Sequence, residues 1–431
     1  MTLDPGSIAR DTASRGSGHG KKTTERNMRR RSMMLGTGAA LLGGAKLASA
    51  QKTIPGLNPT LPAGTREEAL LEQLPGKKPL IKLSWRPPNY EAPLSAFRTP
   101  ITPNDSFFVR YHLAGIPEMD ELRTWSLQID GDAAQHPVQL SMIDLRALPS
   151  VEITAVCQCS GNRRGLFSPH VAGVEWGAGA MGNARWRGAR LRDVLARAGI
   201  KPEAVELGMS GADGPLLPAT PKFAKSIPID RALDPDTIIA YEMNGAPLPH
   251  FNGFPARIVV PGWTSTYWMK HLTTLELRST PLRNFWMSTA YRVPRGMFPV
   301  AKPFATQDND QTSPITDIVI NSLVTNLVDG TRVSAGSFGV EGIAWDSGTG
   351  IRTVEVSTDA GTTWRSALLG QDLGRYAFRA WSIGLRSSRT GPVTVMVRAT
   401  SNSGAIQPDK LLFNPAGYHD NVMQSVTVNA V

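Results

Sequence analysis

Cysteine is scarce in this chain of 431 residues, which contains only Cys157 and Cys159. Two cysteines cannot build a disulfide framework, and a bridge across a single intervening residue would be strained. The sequence also lacks Cys-x-x-Cys-His, which excludes a covalent c-type haem, and it lacks a Walker loop, a His-Glu-x-x-His segment and a Gly-x-Gly-x-x-Gly segment directly after a predicted strand. The two cysteines are therefore expected to serve chemistry rather than cross-linking.

Excess charge is also scarce outside the N-terminus. The formal net charge is +10, but residues 1–50 hold nine Lys and Arg against three Asp and Glu and so contribute +6 of it. No Lys and Arg cluster is interleaved with aromatic residues, so nucleic acid is not an expected partner. The 41% hydrophobic content is enough for a sizeable core, and the length fits two or three domains.

The N-terminus has the pattern of an export signal. Arg29, Arg30 and Arg31 precede a short apolar stretch over residues 36–47, and a small-x-small site at 48–50 predicts cleavage before Gln51. The twin arginine predicts the Tat route and a periplasmic location, with a Sec signal or a basic tail as alternatives. Met28 is an alternative start. Lys46 interrupts the apolar stretch, so a permanent membrane span is not expected.

Composition divides the rest of the chain into three parts. Residues 51–95 are Pro-rich and predict an extended lead on a domain surface, with a short helix at 66–73. Residues 96–312 predict a mixed α+β domain. Residues 313–431 alternate in short strands and predict an all-β, Ig-like sandwich, with a hairpin after strand 353–357 and a further strand at 393–399.

Several elements of the α+β domain are predicted from periodicity and capping residues. They are strands at 107–113, 151–157 and 258–260, a helix that begins at Ser141 with Asp144 three residues on, and a helix at 191–198 ended by Gly199. The strand at 151–157 matters most, because it places Cys159 on a turn just beyond a buried element.

Cys159 begins the run Cys-Ser-Gly-Asn-Arg-Arg, which ends at Arg164. A thiolate on a rigid turn suits a soft metal, and arginine guanidinium groups suit a small oxyanion. The alternative is a buried structural cysteine beside surface arginines. Having both chemistries within six residues favours a metal site with an anionic substrate.

Three further segments carry candidate binding groups. On a strand, Arg110 and His112 share one face and suit an anion or a cofactor edge, although a solvent-facing Arg with a buried His is equally compatible. The polar loops between Asn244 and Lys270 include Arg257 and suit an anionic cofactor tail, with a polar surface loop as the alternative. Tyr291 could orient a bound anion, although packing is the usual role of such a tyrosine.

These segments resemble the sulfite oxidase family of mononuclear molybdenum enzymes over most of residues 85–431. The most specific matches are CSGNRR at 159–164, FFVRYHL at 107–113, AYEMNGAPLP at 240–249 and PARIVVPGWTSTYWMKHL at 255–272. The resemblance implies a molybdopterin-binding catalytic domain and, at 313–431, an Ig-like Mo-co oxidoreductase dimerisation domain. It also implies a molybdenum centre held by one pterin dithiolene.

The resemblance implies a role for each candidate residue. Cys159 would be the molybdenum ligand. Arg110, Arg164 and Tyr291 would form the catalytic sulfite pocket. The remaining matches would hold the pterin and its phosphate, and they are His112, Asn252, Arg257 and Lys270. Asn252 departs from many animal and plant members, which have His there, and Arg163 receives no role.

The implied activity is oxidation of sulfite to sulfate, with electrons passed singly to a c-type cytochrome as a separate subunit or soluble carrier. The chain would form a homodimer or a heterodimer with a cytochrome subunit. The alternatives are a methionine-sulfoxide reductase catalytic subunit of the same fold, which would not need the C-terminal sandwich, and a non-catalytic periplasmic binding module.

Overall fold

β-Strands dominate the computed structural model, which describes residues 71–120, 122–298, 304–387 and 389–431. The predicted export signal at residues 1–50 lies outside the described residues. The strands up to residue 314 are β1 (Leu71–Glu72), β2 (Leu80–Ser84), β3 (Asn89–Glu91), β4 (Val109–Arg110), β5 (Ser126–Asp130), β6 (Val138–Ser141), β7 (Ser150–Gln158), β8 (Met181–Arg190), β9 (Glu206–Gly211), β10 (Ala224–Pro228), β11 (Ile238–Met243), β12 (Ala246–Pro247), β13 (Arg257–Val259), β14 (Leu272–Arg278), β15 (Arg292–Pro294) and β16 (Thr312–Pro314).

Helices are few and short among the described residues. The α-helices are α1 (Met142–Ala147), α2 (Leu191–Leu195), α3 (Ile229–Ala232) and α4 (Phe285–Ser288). Single 3₁₀ turns occur at Leu94–Phe97, Asn104–Ser106, Arg164–Leu166, His250–Asn252, Ser265–Tyr267 and Ala305–Gln307. Helices this short are not stable by themselves, so sheet pairing and packing determine the fold. The predicted mixed α+β class is therefore corrected to a mostly β fold.

One of the two predicted helix caps is present. The Ser141 side chain accepts a hydrogen bond from the Asp144 amide and the Asp144 side chain accepts one from Ser141, which makes a capping box at α1. The helix predicted at 191–198 ends already at Leu195 with Ala196 as its C-cap, so Gly199, with a φ of +66°, lies just beyond the following turn rather than at the helix end. The capping box depends on neighbouring residues only, which is why the sequence alone predicts it.

Two predictions of local structure are wrong. The predicted strand at 107–113 is paired only over Val109–Arg110, so His112 lies beyond its end. The lead was expected to be a surface segment with a helix at 66–73; residues 66–70 lie outside the described residues, but Leu71–Glu72 is a strand and the first four strands form one sheet in the order β1-β2-β3-β4. A small core that includes Leu80 and Tyr90 forms at this sheet, so the lead contributes to a core.

Two five-stranded sheets form the centre of this part. One has the order β10-β9-β14-β5-β6, and the other runs β12-β11-β8-β7 with β13 also paired to β11. β7 and β8 pair in unbroken antiparallel register from Ser150 with Ala189 to Gln158 with Met181. This long pairing holds the end of β7 in place, and β7 is the strand that leads into Cys159.

Residues from 315 onward form two more sheets. Their strands are β17 (Asn321–Val324), β18 (Arg332–Val333), β19 (Phe338–Trp345), β20 (Ile351–Ser357), β21 (Arg365–Ser366), β22 (Leu368–Leu369), β23 (Arg379–Leu385), β24 (Gly391–Ser401) and β25 (Gln424–Ala430). The sheets run β17-β19-β23-β22 and β18-β25-β24-β20-β21, and both contribute to one apolar core. The all-β character and the β20–β21 hairpin are as predicted, while the Ig-like topology stays a prediction.

Candidate active site

Seven of the eight predicted site residues line a single cavity. They are Arg110, His112, Cys159, Asn252, Arg257, Lys270 and Tyr291. These residues come from segments up to 181 positions apart in the sequence, so only the tertiary fold could have brought them together. Arg164 is the exception, because it does not line this cavity.

Cys159 lies on a turn that is fixed by backbone hydrogen bonds. Its amide donates to Ala180 O at 2.9 Å, and its carbonyl accepts from the Asn162 amide at 3.0 Å. The Asn162 side-chain oxygen accepts from the Ala180 amide at 2.9 Å, which ties the turn to the residue before β8. The thiol is thus held on a rigid base at the wall of the cavity, as a metal ligand requires.

Cys157 is the second free cysteine, and it has a different environment. Its sulfur accepts a hydrogen bond from Nη2 of Arg257 at 3.7 Å. Burial raises the pKa of Cys157, and the positive charge of Arg257 opposes this effect. The thiol is 1% exposed and serves as a partner for a buried arginine.

Tyr291 lies between the cationic and aromatic sides of the cavity. It follows α4 with a φ of +60°, and its hydroxyl shares a hydrogen bond with Nε2 of His112. Burial raises the pKa of Tyr291, and the charge of Arg110 is the largest opposing influence. The phenol is therefore neutral at neutral pH and carries a proton that it can donate.

His112 is enclosed by aromatic rings. Its imidazole stacks on Phe223 with ring centroids 3.8 Å apart, and Trp286 meets it edge-on at 5.2 Å. Burial lowers the pKa of His112, and the charges of Arg110 and Lys270 lower it further. The structure thus joins this neutral imidazole to Tyr291, while its predicted contact with the pterin stays a prediction.

Arg257, which is buried, and Lys270, which is half-buried, are cations that line the cavity. Arg257 donates to Asn252 O at 2.8 Å and to Trp268 O at 3.1 Å. Lys270 donates to Phe251 O at 3.3 Å. Burial lowers the pKa of both side chains, and for Lys270 the carboxylate of Asp213 opposes the shift. An anion bound here would stabilise both charged forms.

Asn252 is held by the protein at both ends of its amide. Its Oδ1 accepts from the ammonium of Lys77, and its Nδ2 donates to Phe108 O at 3.1 Å. Lys77 is 3% exposed and also donates to Asn104 O and Phe107 O. The amide therefore has a fixed orientation, and its predicted phosphate contact stays a prediction.

Unpartnered polar atoms show that the cavity suits a polar, anionic group. Among the described residues, Ser160 Oγ, Arg257 Nε and Thr266 Oγ1 are buried without a hydrogen-bond partner, and all three residues line the cavity. Such orphan donors are costly unless a bound group satisfies them. Together with the cations Arg257 and Lys270, they fit a pterin with a phosphate. Across the described ranges, this cavity included, no group of three His, Cys, Asp or Glu side chains could hold a metal ion.

The two arginines after Cys159 have separate environments. Arg163 has a φ of +69° and donates to Asn321 Oδ1 at 3.0 Å and to Val422 O at 2.9 Å. Arg164 donates to Ala416 O at 3.0 Å and to Val174 O at 3.3 Å. Arg163 is thus a structural link to the C-terminal part. Arg164 does not line the cavity, and its positive charge opposes the rise in the Tyr291 pKa that burial causes.

Several residues around the cavity were not predicted from the sequence. Phe223 lines it, Lys77 orients Asn252, and Tyr418 stacks on Tyr291 with ring centroids 5.6 Å apart. Lys77 lies in the lead, which was not expected to reach the site. Tyr418 follows an Asn-Pro-Ala-Gly turn in the C-terminal part, and a turn motif alone does not indicate which distant residue it contacts.

Two domain models and several known proteins match this chain. Residues 113–286 match the oxidoreductase molybdopterin binding domain, and residues 312–431 match the Mo-co oxidoreductase dimerisation domain. Rat mitochondrial sulfite oxidase is 34% identical over 83% of this chain and 67% of its own length. Sulfite oxidase of Arabidopsis thaliana is 31% identical over 81% of this chain and 93% of its own length.

A solved structure has the same fold. The sulfane dehydrogenase SoxCD from Paracoccus pantotrophus superposes with a TM-score of 0.69 at 22% identity, over 92% of this chain and 100% of the compared chain. The identities to the sulfite oxidases, their coverage of this chain and the two domain matches determine the family and its cofactor. The cofactor is a molybdenum-molybdopterin, and the chain belongs to the sulfite oxidase family.

Proposed function

We propose that this protein is a periplasmic sulfite dehydrogenase, which oxidises sulfite to sulfate and passes the electrons singly to a c-type cytochrome. The observation that carries the proposal is the position of Cys159 in one cavity with Arg110 and Tyr291. Similarity to named sulfite oxidases from rat and Arabidopsis supports the choice of sulfite.

The chemistry divides between the cofactor and the chain. When bound, the molybdenum-pterin group supplies the two-electron acceptor and the oxygen-transfer centre. Cys159 would ligate the metal, and Arg257 and Lys270 would hold the anionic end of the pterin. The net reaction converts sulfite and water into sulfate, two protons and two electrons, so the site must also handle protons.

The substrate side of the cavity is proposed to lie at Arg110 and Tyr291. The guanidinium of Arg110 would attract sulfite and offset its negative charge. Tyr291, hydrogen-bonded to His112, would donate to a substrate oxygen and orient it. Arg164 would add positive charge near Tyr291 without lining the cavity.

The test is sulfite-dependent reduction of a c-type cytochrome by the purified, molybdenum-loaded protein. Cys159→Ser is expected to lower kcat at least about 100-fold, since even groups that only support a metal ligand are worth 10–100-fold. Arg110→Gln is expected to raise KM. Arg123→Gln is the matched control, because this arginine is in a surface pair with 80% exposure and should leave both constants unchanged.

Full sulfite turnover and unchanged molybdenum content in the Cys159→Ser protein would contradict the proposal. Methionine sulfoxide reduction without sulfite oxidation would favour the reductase alternative. A purified protein without molybdenum would favour the non-catalytic binding module.

The periplasmic location rests on the sequence, since residues 1–50 lie outside the described residues. Replacing Arg30 and Arg31 by Lys is expected to leave the protein in the cytoplasm, as shown by cell fractionation and immunoblotting. The conservative pair Lys21→Arg and Lys22→Arg is the control. Unchanged export of the first variant would contradict the Tat route.

The proposed partners are a c-type cytochrome and a second copy of the chain. The match of residues 312–431 to a dimerisation domain supports this part as a contact surface. The native mass of the purified complex distinguishes a homodimer from a heterodimer with a cytochrome subunit.

A further inference from the structure

Residues 414–419 in the C-terminal part form a tight arch against the candidate active site. The Asn414 side chain accepts from the Tyr418 amide at 3.0 Å and donates to the Tyr418 carbonyl at 2.8 Å, which closes the arch. Gly417 and His419 have φ values of +61° and +56°. The arch is thus a built structure with a fixed shape.

The arch contacts the loop after β7 through backbone atoms. Ala416 O accepts from Nε of Arg164 at 3.0 Å, and the His419 amide donates to Ser160 O at 3.3 Å. At Gly417 an added Cβ would lie 2.6 Å from Cγ of Arg164, so the approach requires glycine. The C-terminal part therefore determines where Arg164 lies.

Tyr418 projects from this arch onto Tyr291. The two rings are nearly parallel, with an interplanar angle of 11° and centroids 5.6 Å apart. The Arg164 guanidinium carbon lies 5.2 Å from the centre of the Tyr418 ring. Burial raises the pKa of Tyr418, so its phenol is neutral beside the Tyr291 ring.

Tyr291 needs such support because its backbone conformation is unfavourable. Its φ of +60° is rare for a residue with a side chain and is especially strained for a bulky one. The stacked ring of Tyr418 would hold this conformation, together with the Ile315 amide, which donates to Tyr291 O at 2.9 Å. Tyr418 itself does not line the cavity, so it can act only through its neighbours.

We propose that Tyr418 is a positioning residue that fixes the Tyr291 phenol and the Arg164 guanidinium in their working orientations. The catalytic site would then be complete only with the C-terminal part docked. This inference rests on the proposed function for its kinetic test, and its structural test is independent of the substrate.

The experiment compares Tyr418→Leu and Tyr418→Phe in the molybdenum-loaded enzyme. Tyr418→Leu removes both the stacked ring and the hydroxyl, and we expect kcat for sulfite to fall about 10–100-fold, since a displacement of about 1 Å can have that effect. We expect Tyr418→Phe to recover most of kcat, because the ring remains. Molybdenum content should stay at the wild-type value in both.

Tyr376→Leu is the matched control. Tyr376 is another buried tyrosine of the C-terminal part, and its backbone carbonyl accepts from the Val156 amide at 2.9 Å. This variant loses a ring that packs on the Arg375 guanidinium at 4.5 Å, so it should lower thermal stability without lowering kcat. An equal loss of kcat in the Tyr376 and Tyr418 variants would overturn the positioning role.

Two further readouts separate this inference from the proposed function. Sulfate binding to the resting enzyme, measured by calorimetry, should weaken in Tyr418→Leu about as much as kcat/KM falls. A crystal structure of the variant should show Tyr291 displaced. An unmoved Tyr291 with wild-type sulfate affinity would overturn the inference, whereas wild-type protein without sulfite turnover would count against the proposed function alone.

Discussion

His271 is a buried residue that burial keeps neutral. Its Nδ1 donates to Phe254 O at 2.6 Å, so in the neutral form Nε2 accepts from the Tyr111 hydroxyl, also at 2.6 Å. Burial lowers the pKa of His271 to about 3, and the charge of Lys270 lowers it in the same direction. Protonation would place an uncompensated charge in the core and reverse the hydrogen bond to Tyr111, a residue that lines the cavity.

This shift predicts a loss of stability in acid. Below about pH 6.5 the unfolded chain binds a proton at this histidine while the folded chain does not, so the free energy of unfolding falls as pH drops from 6.5 towards 3, by up to about 1.4 kcal/mol per pH unit. The prediction is that His271→Gln shows a shallower pH dependence in urea unfolding. His136→Gln, at an exposed histidine, is the control, and identical curves for wild type and His271→Gln would contradict it.

For single residues, the sequence predicts the chemistry of the side chain but not the residues that it contacts. Cys159 and Tyr291 were identified from short motifs and family resemblance, and both line the cavity. Arg163 was left without a role, because its partners Asn321 and Asp420 are more than 150 positions away. Lys77 and Tyr418 were missed for the same reason.

The loop after β7 contacts the C-terminal part through Arg163. Besides its hydrogen bonds to Asn321 and Val422, Arg163 pairs with Asp420 at 3.7 Å, and both side chains are at most 5% exposed. A buried carboxylate that loses its partner is strongly destabilising. The loop therefore depends on the C-terminal part for its conformation.

Arg163→Met is expected to lower the free energy of unfolding by about 3–5 kcal/mol, because Asp420 is left buried and unpaired. Adding Asp420→Asn should recover part of this loss, since the unpaired charge is then removed. Arg187→Met, in a half-exposed ion pair with Glu242, is the control and should change stability by less than about 1 kcal/mol. Urea unfolding measures all three, and a loss below about 1 kcal/mol for Arg163→Met would refute the argument.

Elements defined by neighbouring residues were predicted better than elements defined by distant pairing. The capping box at α1 and the strand β7 follow from the sequence pattern. The strand predicted at 107–113 is paired only over Val109–Arg110, because β3 is its partner and that partner is three residues long. The length of such a strand is determined by its neighbour in the sheet.

At the scale of the whole molecule, the two parts share one hydrophobic core. The main core cluster includes Trp345, Tyr376 and Phe378 of the C-terminal part together with residues of the first part. Nε1 of Trp345 donates to Gln158 Oε1 at 2.6 Å, and Phe97 meets Phe378 edge-on at 5.9 Å. The first of these contacts involves Gln158, the residue that precedes Cys159.

A shared core predicts one cooperative unfolding transition. Trp345→Ala is expected to lower stability by about 3–5 kcal/mol and to shift the whole transition in differential scanning calorimetry. Trp381→Ala tests the second core, since Trp381 belongs to the cluster within the C-terminal part. It should shift the same single transition, and a separate transition that moves alone in this variant would show that the two parts unfold independently.

The sequence by itself determined the residue types that make the chemistry possible, namely one thiol, paired arginines and a tyrosine, because motifs and caps depend on neighbouring residues. Only the tertiary structure decided which of them meet. It placed Arg110, Cys159 and Tyr291 in one cavity, left Arg164 out of the cavity lining and stacked Tyr418 on Tyr291. The reason is physical: contacts between distant segments depend on how sheets pair and cores pack, and no local pattern encodes that arrangement.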